Sequence, residues 1–344
     1  MKISIEHIKN LVIHYVGNKS RGEGVKFSQV ETNFQNAEAS ILQQAKNAFS
    51  FDQFHEFFYT HNISLNPLYS FAETLFSDNE RLIEVSQSIV SHLYDQSTHA
   101  KIKDGELYIL YFKDCLVQDE ITDAIGIFKS ENKDFFLMVN QMPDGFEIET
   151  LQGMNINKLD KGCIIFNTNK ENGYLVSVVD NTNKTNEAQY WINDFLHVRP
   201  RKDGFYNTQN AMSLCKKFIS EELPAKFNIS KTEQADYMNK SVDFFKEENV
   251  FEIEDFSKKV IDDSEISESF KSYKSRFEKE QGLEIADNFL ISETATKKQS
   301  RIFKSVLKLD KNFHIYIHGD KELIEKGIDK GGKKFYKIYY KEES

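Results

Sequence analysis

The sequence has few of the residues that interrupt or cross-link a chain. Its 344 residues include 4 prolines, 15 glycines, 3 cysteines and a single tryptophan, whereas phenylalanine (29) and tyrosine (15) are plentiful. The low proline and glycine content excludes collagen-like and low-complexity chains, and a hydrophobic fraction of 40% supports packed cores. The length is sufficient for two domains of ordinary size. The sequence therefore predicts a globular protein with two domains.

Long hydrophobic runs are absent as well. No stretch of about eighteen consecutive apolar residues occurs. The first ten residues alternate Ile3, Ile5 and Ile8 with polar side chains, and they lack the basic and apolar segments of a secretion signal. We therefore expect neither membrane insertion nor secretion.

The three cysteines are odd in number and widely spaced, and each has apolar neighbours in the sequence: Cys115, Cys163 and Cys215. A framework of disulfides would use an even number of thiols at closer spacing. This pattern predicts buried, reduced thiols in a cytoplasmic protein.

Charge is distributed unevenly along the chain. The net charge is −10, and residues 51–150 hold 6 Lys and Arg against 18 Asp and Glu, a local net charge of −12. In the basic block, residues 296–341, the balance reverses to 13 basic against 5 acidic residues, a local net charge of +8. Because salt screens charges over about 10 Å, the local balance matters more to a partner than the total. Any contact with nucleic acid is therefore expected in the basic block.

Hydrophobic periodicity predicts an α+β fold. Apolar residues spaced three and four apart predict helices near residues 36–49 and 79–94. Between residues 105 and 180 the pattern changes to short apolar runs separated by Asp-Gly and Asn-Gly pairs, which predicts an antiparallel sheet. The runs are Leu107–Phe112, Ala124–Phe128, Phe135–Val139, Cys163–Phe166 and Tyr174–Val179.

A turn-rich basic link at residues 199–204 marks the boundary region, which we place near residues 184–204. We predict an N-terminal α+β domain over residues 1–190, with the antiparallel sheet, and a C-terminal helical domain over residues 191–344. In the second domain, apolar spacing predicts three helices around Leu214, Val242 and Tyr273. Two terminal strands complete it, at Val306–His318 and Lys333–Tyr340.

The two terminal strands combine cations with aromatic rings. Because successive side chains of a strand point to opposite sides, each strand has one face apolar enough to pack. These faces consist of Phe313, Ile315 and Ile317 in the first strand and of Tyr336, Ile338 and Tyr340 in the second. The opposite face of the second strand carries Lys333, Phe335, Lys337, Tyr339 and Lys341. Interleaved cations and rings suit nucleic acid, because cations neutralise phosphates while bases stack on rings.

The sequence admits three other interpretations: a solvated surface, a metal site and a nuclease site. Lysines on an exposed strand also prevent its edge from pairing with a strand of another molecule. The lysine-bearing face of the second strand could therefore be an ordinary solvated surface. His314 and His318 would lie roughly 13 Å apart in a strand, too far for one metal ion. The acidic stretches 119–123 and 262–268 lack the clustered carboxylates of a magnesium-dependent nuclease, and no phosphate-binding loop or nucleophile elbow occurs. We therefore expect no metal, no cofactor and no catalysis.

Several strings in the sequence are specific enough to suggest a family. Leu307–Gly319, Lys333–Tyr340, Met154–Asn167 and the stretch from Tyr190-Trp191 to Phe195-Leu196 resemble the bacterial nucleoid-associated proteins of the NdpA type. The resemblance extends over nearly the whole chain and is most specific at the C-terminal end. It implies a location at the nucleoid and association with DNA, directly or through a DNA-bound partner, and it implies no established reaction or agreed set of binding residues.

Three hypotheses follow for function. In the first, the protein binds DNA directly, through a set of residues chosen by charge and by strand face: Lys297, Lys298, Arg301, Lys304, Lys333, Phe335, Lys337, Tyr339 and Lys341, with Arg199, Arg201 and Lys202 as a second basic point. In the second, the acidic N-terminal half docks on a DNA-bound enzyme, because acidic surfaces attract basic partners. A metal-dependent nuclease is the third and ranks last.

Overall fold

The structure is a computed structural model that describes residues 2–182, 190–301, 303, 306–309, 313–316, 323–340 and 342. The chain divides into two units, Met1–Arg201 and Lys202–Ser344. This division lies within the predicted link at residues 199–204 and later than the predicted domain end at residue 190. Residues 191–200 stay with the first unit because Trp191, Phe195 and Leu196 are fully buried in its core.

The first unit contains strands and helices in mixed order. Its helices are α1 (Glu38–Ala48), α2 (Pro67–Ser77) and α3 (Leu82–Gln96), and Trp191–Leu196 forms a π-helical turn. Its strands are β1 (Ile3–Ser4), β2 (His7–Val16), β3 (Val25–Lys26), β4 (His55–Phe57), β5 (Gly105–Val117), β6 (Glu120–Ser130), β7 (Asp134–Met142), β8 (Gly145–Gly153), β9 (Lys161–Phe166), β10 (Leu175–Asp180) and β11 (Val198–Pro200).

Within residues 2–182 and 190–201, nine of these strands form one sheet. The strand order is β11-β4-β10-β9-β6-β5-β2-β3, with β1 also paired to β5. Every pairing in this sheet is antiparallel. The predicted α+β class with an antiparallel sheet is therefore confirmed.

Both faces of the sheet are covered, which explains why its central strands are almost continuously apolar. Along β5, Leu107, Ile109 and Tyr111 pack in the same core as the buried faces of α2 and α3, whereas Leu110 and Phe112 pack in the core that includes α1. Successive side chains of a strand alternate between faces, so one apolar run supplies both cores. The predicted helices near residues 36–49 and 79–94 are α1 and α3.

The run Phe135–Val139 forms a strand as predicted but lies outside this sheet. It belongs to β7, which pairs only with β8 among the described strands, in register from Asp134 opposite Gly153 to Met142 opposite Gly145. The sequence pattern identified a strand correctly but could not show which strand it would pair with.

The second unit consists of helices followed by short hairpins. Its helices are α4 (Gly204–Lys217), α5 (Leu223–Lys226), α6 (Lys231–Glu247), α7 (Ile253–Phe256), α8 (Ser264–Gln281) and α9 (Glu293–Ser300), with π-helical turns at Phe218–Glu222 and Ser257–Ile261. Its strands are β12 (Val250–Glu252), β13 (Asn288–Leu290), β14 (Val306–Leu309), β15 (Phe313–Tyr316), β16 (Ile324–Ile328) and β17 (Lys334–Ile338). The core is rich in phenylalanine, including Phe218, Phe245, Phe251 and Phe270.

The terminal strands differ from the prediction in number. Val306–His318, predicted as one strand, contains two strands, β14 and β15, which pair with each other in an antiparallel hairpin. The second predicted strand is β17, and it pairs with β16 in another hairpin. Periodicity of two is the same in one long strand and in two strands that fold back on each other, so the pattern alone could not separate them.

Two lysines are buried opposite each other in the sheet of the first unit. Lys129 of β6 and Lys161 of β9 are direct cross-strand partners, and each is about 1% exposed. Like charges in this position repel each other, and each lysine has its own carboxylate: Glu131 lies 2.9 Å from Lys129, and Asp180 lies 2.7 Å from Lys161. The Tyr190 ring contacts both ammonium groups, at 5.6 and 5.3 Å from its centroid. Burial lowers the pKa of Lys129, and Glu131 opposes that shift.

This lysine network predicts a large effect for one substitution. Lys129→Met leaves the Glu131 carboxylate buried without its cation, and we expect a loss of about 3 kcal/mol in the free energy of unfolding of the first unit. Fluorescence of Trp191, the one tryptophan of the chain, reports unfolding of this unit in urea. Lys133→Met, which removes an exposed ion pair with Glu106, should cost less than about 1 kcal/mol. Equal losses of unfolding free energy in the two variants would show that the buried ion pair of Lys129 matters no more than an exposed one.

A buried histidine makes the first unit sensitive to acid. Nδ1 of His14 accepts a hydrogen bond from the Ser28 N–H at 3.1 Å, so Nε2 carries the proton and lies 2.9 Å from the Ser86 hydroxyl oxygen. Burial lowers the pKa of His14 from 6.5 to about 4. Protonation of Nδ1 would also place its N–H against the N–H of Ser28, so that two hydrogen-bond donors would face each other without an acceptor. The folded-state pKa of His14 lies below the unfolded one. Neutral His14 therefore contributes to the free energy of unfolding above pH 6.5, and this contribution is lost as the pH falls toward 4.

We expect His14→Gln to reduce the pH dependence of unfolding. Between about pH 7.5 and about pH 5, the free energy of unfolding of the unaltered protein should fall by about 2 kcal/mol more than that of the variant. Urea titrations followed by Trp191 fluorescence at the two pH values measure this difference. His61→Gln, at an exposed position, should retain the original pH dependence. The same pH dependence in His14→Gln as in the unaltered chain would rule out this role for His14.

Candidate nucleic-acid interface

The turn between β16 and β17 is organised by the carboxylate of Asp329. Its Oδ1 atom accepts hydrogen bonds from the backbone N–H groups of Gly331 and Lys333, each at 2.8 Å. The Asp329 N–H donates to the Lys333 carbonyl oxygen at 2.8 Å, which closes the turn. The negative charge is therefore engaged by backbone donors, while Lys330, Lys333 and Lys334 are exposed around it. None of these three lysines, which we call the tip lysines, forms an ion pair with another described residue.

One face of β17 contains the cations and rings expected from the sequence. The Phe335 ring lies against Gly327, its direct cross-strand partner, and a Cβ at Gly327 would clash with that ring. Lys337 Nζ lies 2.6 Å from the Tyr339 hydroxyl oxygen and 4.5 Å from the ring centroid. The hydrogen bond with Tyr339 is the largest cause that raises the pKa of Lys337, and the carboxylate of Glu325 at 3.8 Å makes a smaller contribution in the same direction. Lys337 is thus a fixed cation, already partly neutralised by a carboxylate.

Three further candidate residues lie at the end of α9. Lys297 faces Glu293 one turn earlier, at 3.7 Å, and both side chains are largely exposed. Lys298 Nζ lies over the Phe205 ring, 5.3 Å from its centroid. Arg301 follows the helix and lines an open groove of about 300 Å³, together with Asp243 and Lys246 of α6 among others. The groove therefore mixes charges of both signs.

Helix α6 connects this groove with the terminal hairpins. It begins with a capping box, in which the Ser230 hydroxyl accepts from the Glu233 N–H and the Glu233 carboxylate accepts from the Ser230 N–H. Ala235, in its first turns, packs against three partly buried side chains of the hairpins: Ile315, Ile324 and Tyr336. Asn239, Asp243 and Lys246 follow Ala235 at steps of four, four and three residues, so they continue the same side of the helix to the groove. The hairpins and Arg301 thus lie along one side of α6.

This packing agrees only in part with the expected strand faces. Tyr336 and Ile315 pack, as expected, whereas Ile338, Tyr340 and Phe313 on the faces predicted to pack remain exposed. Ile317, Lys304 and Lys341 lie outside the described residues. The exposed rings near the tip lysines therefore include some that the sequence pattern would have buried.

The second basic point lies partly in the other unit. Arg199 of β11 is opposite Glu56 of β4, its guanidinium 2.8 Å from that carboxylate and 4.6 Å from the Phe58 ring centroid. The side chain of Lys202, at the start of the second unit, pairs with Glu284 at 2.6 Å. Arg201 is half-buried, and its N–H donates to the Phe54 carbonyl oxygen. Arg199 and Lys202 thus already have anionic partners within the protein.

Three exposed lysines in the described part of the basic block are missing from the sequence-based set: Lys326 of β16, Lys330 in the turn and Lys334 of β17. Lys330 and Lys334 are the two that lie closest in the chain to Lys333. The string Asp329-Lys-Gly-Gly-Lys333 could have indicated them, since aspartate followed by glycines is typical of a turn stabilised by its own side chain. In the tertiary structure both lysines flank Lys333.

Comparison with known proteins adds one finding. The family model NA37, described as nucleoid-associated protein YejK, matches residues 12–333. The chain belongs to the NA37 family. No curated protein matches the chain.

Membership in NA37 confirms the resemblance that the C-terminal strings suggested, and it confirms the expected association with the bacterial nucleoid. The match covers both units and includes most of the basic block. The description of NA37 names an association and specifies neither a reaction nor a DNA-contacting residue.

In this NA37 protein, no helix among the described residues is long and apolar enough to cross a membrane. No group of three or more His, Cys, Asp and Glu side chains among them is arranged to hold a metal ion. All three cysteines are free and buried, as expected, and burial raises the pKa of Cys115 to about 12.

Proposed function

We propose that this protein binds DNA directly through the basic surface of its second unit, without catalysing a reaction. The observation that carries the proposal is the group of tip lysines, Lys330, Lys333 and Lys334, exposed around a turn whose one carboxylate is engaged by backbone N–H groups. Cations on a hydrogen-bonded turn that form no ion pair with another described residue are suited to phosphate contacts, because each neutralised phosphate releases counterions from DNA.

Local charge supports this assignment. The described segment 323–340 contains five lysines against Glu325 and Asp329, a net charge of +3. Asp329 is occupied by the turn, and Glu325 lies beside Lys337. Together with Lys326, the tip lysines are therefore exposed and form no ion pair with another described residue.

The other candidate residues contribute unequally in this proposal. Arg301, in its open groove, and the tip lysines make the phosphate contacts. Lys297, Lys298 and Lys337 contribute less, because a carboxylate or an aromatic ring already holds each of them. Lys304 and Lys341 are included as candidate DNA-contacting residues from the sequence alone. Arg199, Arg201 and Lys202 form a separate and weaker point.

Aromatic side chains supply a surface on which bases could stack. Tyr339 and Phe335 are partly exposed beside the cations, and Tyr340, Phe313 and Tyr316 are exposed on the same pair of hairpins. Stacking on rings is tolerant of sequence, and the described residues include no group of metal-binding side chains that could form a zinc module for reading a groove. The proposed binding is therefore largely independent of base sequence.

A salt titration tests the direct binding. If about five phosphates are neutralised, the logarithm of affinity should fall with the logarithm of salt concentration at a slope of about −4 to −5. Fluorescence anisotropy of a labelled mixed-sequence duplex between about 50 and about 200 mM salt measures the slope. Changing the tip lysines together to Glu should make the slope shallower by about 3 and weaken binding at least tenfold.

A control with the same change in charge separates a local effect from a general one. Lys46, Lys258 and Lys279 are exposed lysines outside the basic block, and changing them together to Glu should leave the slope unaltered. Salt-independent binding by the unaltered protein would contradict the proposal. Unaltered affinity in the tip-lysine variant would contradict it as well.

A second candidate function is docking on a basic, DNA-bound protein, and one observation favours it. Of the 18 acidic residues in 51–150, nine form an ion pair with a Lys or Arg among the described residues. Asp144, Glu147 and Glu149 of the β7–β8 hairpin form no ion pair with a described residue. Together with Asp134, these residues make the hairpin wholly acidic in its charged side chains, which gives a basic partner a defined place to bind.

An affinity capture repeated after nuclease digestion distinguishes the two functions. Direct binding predicts that captured proteins disappear with the DNA, because DNA is then the only link. Docking predicts that they persist after digestion and disappear in the variant Glu147→Lys with Glu149→Lys. Persistence in that variant would exclude the acidic hairpin as the docking surface.

A further inference from the structure

The hairpin of β7 (Asp134–Met142) and β8 (Gly145–Gly153) exposes an unusual amount of apolar surface. Nine large hydrophobic side chains in its two strands are at least 40% exposed: Phe135, Phe136, Leu137, Met138, Val139, Met142, Phe146, Ile148 and Leu151. Contiguous apolar patches of this extent mark interaction sites in soluble proteins. A two-stranded hairpin with no covering layer is also only marginally stable in water.

The base of this hairpin is firmly held. The Asp160 carboxylate accepts hydrogen bonds from the backbone N–H groups of Glu131 at 2.7 Å and Asn132 at 2.8 Å. On the other strand, the Asn155 side chain donates to Asp134 at 2.7 Å, and Gln44 of α1 donates to the Asn155 carbonyl oxygen at 2.8 Å. The exposed strands therefore emerge from a fixed base beside the buried lysine network.

The two faces of the hairpin differ in charge. Cross-strand partners share a face, so one face combines Phe136, Met138, Met142 and Leu151 with all three charged residues of the strands, Asp134, Glu147 and Glu149. The other face, which we call the neutral face, combines Phe135, Leu137, Val139, Phe146 and Ile148 with Gln141, Thr150 and Gln152. The five hydrophobic side chains of the neutral face are 60–75% exposed, against 40–49% for the four on the acidic face. The most exposed apolar surface therefore carries no charge.

We infer that the neutral face binds the same face of a second copy of this chain. A symmetric contact uses the same face on both copies, and because every charged residue of this hairpin is acidic, a charge on that face could meet only a like charge or an uncharged group. The segregation of all charges onto the opposite face removes that repulsion. Nucleic acid does not fit here, because residues 134–153 contain four acidic and no basic residues. A basic protein would find its complement on the acidic face instead.

The size of the neutral face is sufficient for such a contact. Five side chains of this kind expose on the order of 600 Å² in each copy, so two faces would bury about 1,200 Å², the lower end of stable interfaces. Pairing would also supply the covering layer that the hairpin lacks. The area fits a reversible dimer better than a permanent one.

Analytical ultracentrifugation of the full chain over a range of concentrations tests the inference. The unaltered protein should form a dimer. Val139→Asp and Val139→Lys should each raise the dissociation constant of the dimer about a hundredfold, because each places two like charges in the contact, one from each copy. An equimolar mixture of the two should dimerise again, because unlike charges then meet. Met138→Asp, on the acidic face of the same strand, is the matched control and should dimerise as the unaltered protein does.

A cross-link provides an independent measurement. The native thiols Cys115, Cys163 and Cys215 are buried, so Ile148→Cys introduces the one accessible thiol among the described residues. Under mild oxidation it should form a disulfide-linked dimer, whereas the exposed control Asp144→Cys at the turn should do so more slowly.

A chain that sediments as a monomer at high concentration would overturn the inference. So would a dimer that Val139→Asp leaves intact, or a mixture of Val139→Asp and Val139→Lys that stays monomeric. Trp191 fluorescence confirms that each variant is folded. These outcomes are separate from the proposed DNA binding, because the tip lysines lie in the second unit and the hairpin in the first.

Discussion

The buried pairing of Lys129 and Lys161 is the constraint on which the first unit depends. Two ammonium groups directly opposite each other in a sheet are tolerated only because Glu131 and Asp180 neutralise them and the Tyr190 ring lies against both. These partners come from three separate parts of the chain. The network therefore fixes the end of β6, the pairing of β9 with β10, and the return of the chain at residue 190 toward the π-helical turn at Trp191.

The same network determines where the exposed hairpin starts. Glu131 and Asn132 leave the sheet directly after Ser130, the last residue of β6, and the Asp160 carboxylate next to Lys161 accepts hydrogen bonds from their backbone N–H groups. A strand that continued in the sheet would pair with a neighbour, whereas here the chain turns out of the sheet and forms a hairpin of its own. Buried charge thus supports an element whose own faces are almost entirely exposed.

The distribution of charge explains how an acidic chain can belong to a nucleoid-associated family. The net charge of −10 would repel DNA if it were spread evenly. Half of the acidic residues in 51–150 are instead neutralised by neighbouring cations, and the remaining negative charge lies largely on the first unit. In the second unit, the Asp329 carboxylate is engaged by backbone N–H groups of its turn, and the tip lysines form no ion pair with another described residue. Local pairing, and not composition, decides which surfaces are basic.

The sequence by itself determined the family through the strings ending at Tyr340, the α+β class through periodicities of two and of three to four, and the buried state of three thiols. Only the tertiary structure decided that β7 leaves the main sheet, that Val306–His318 contains two strands, that Lys330 and Lys334 join Lys333, and that Arg199 is paired with Glu56. The reason is physical. Periodicity and turn residues act between close neighbours in the chain, whereas strand partners and ion pairs are set by residues that meet only in space, such as Glu56 and Arg199.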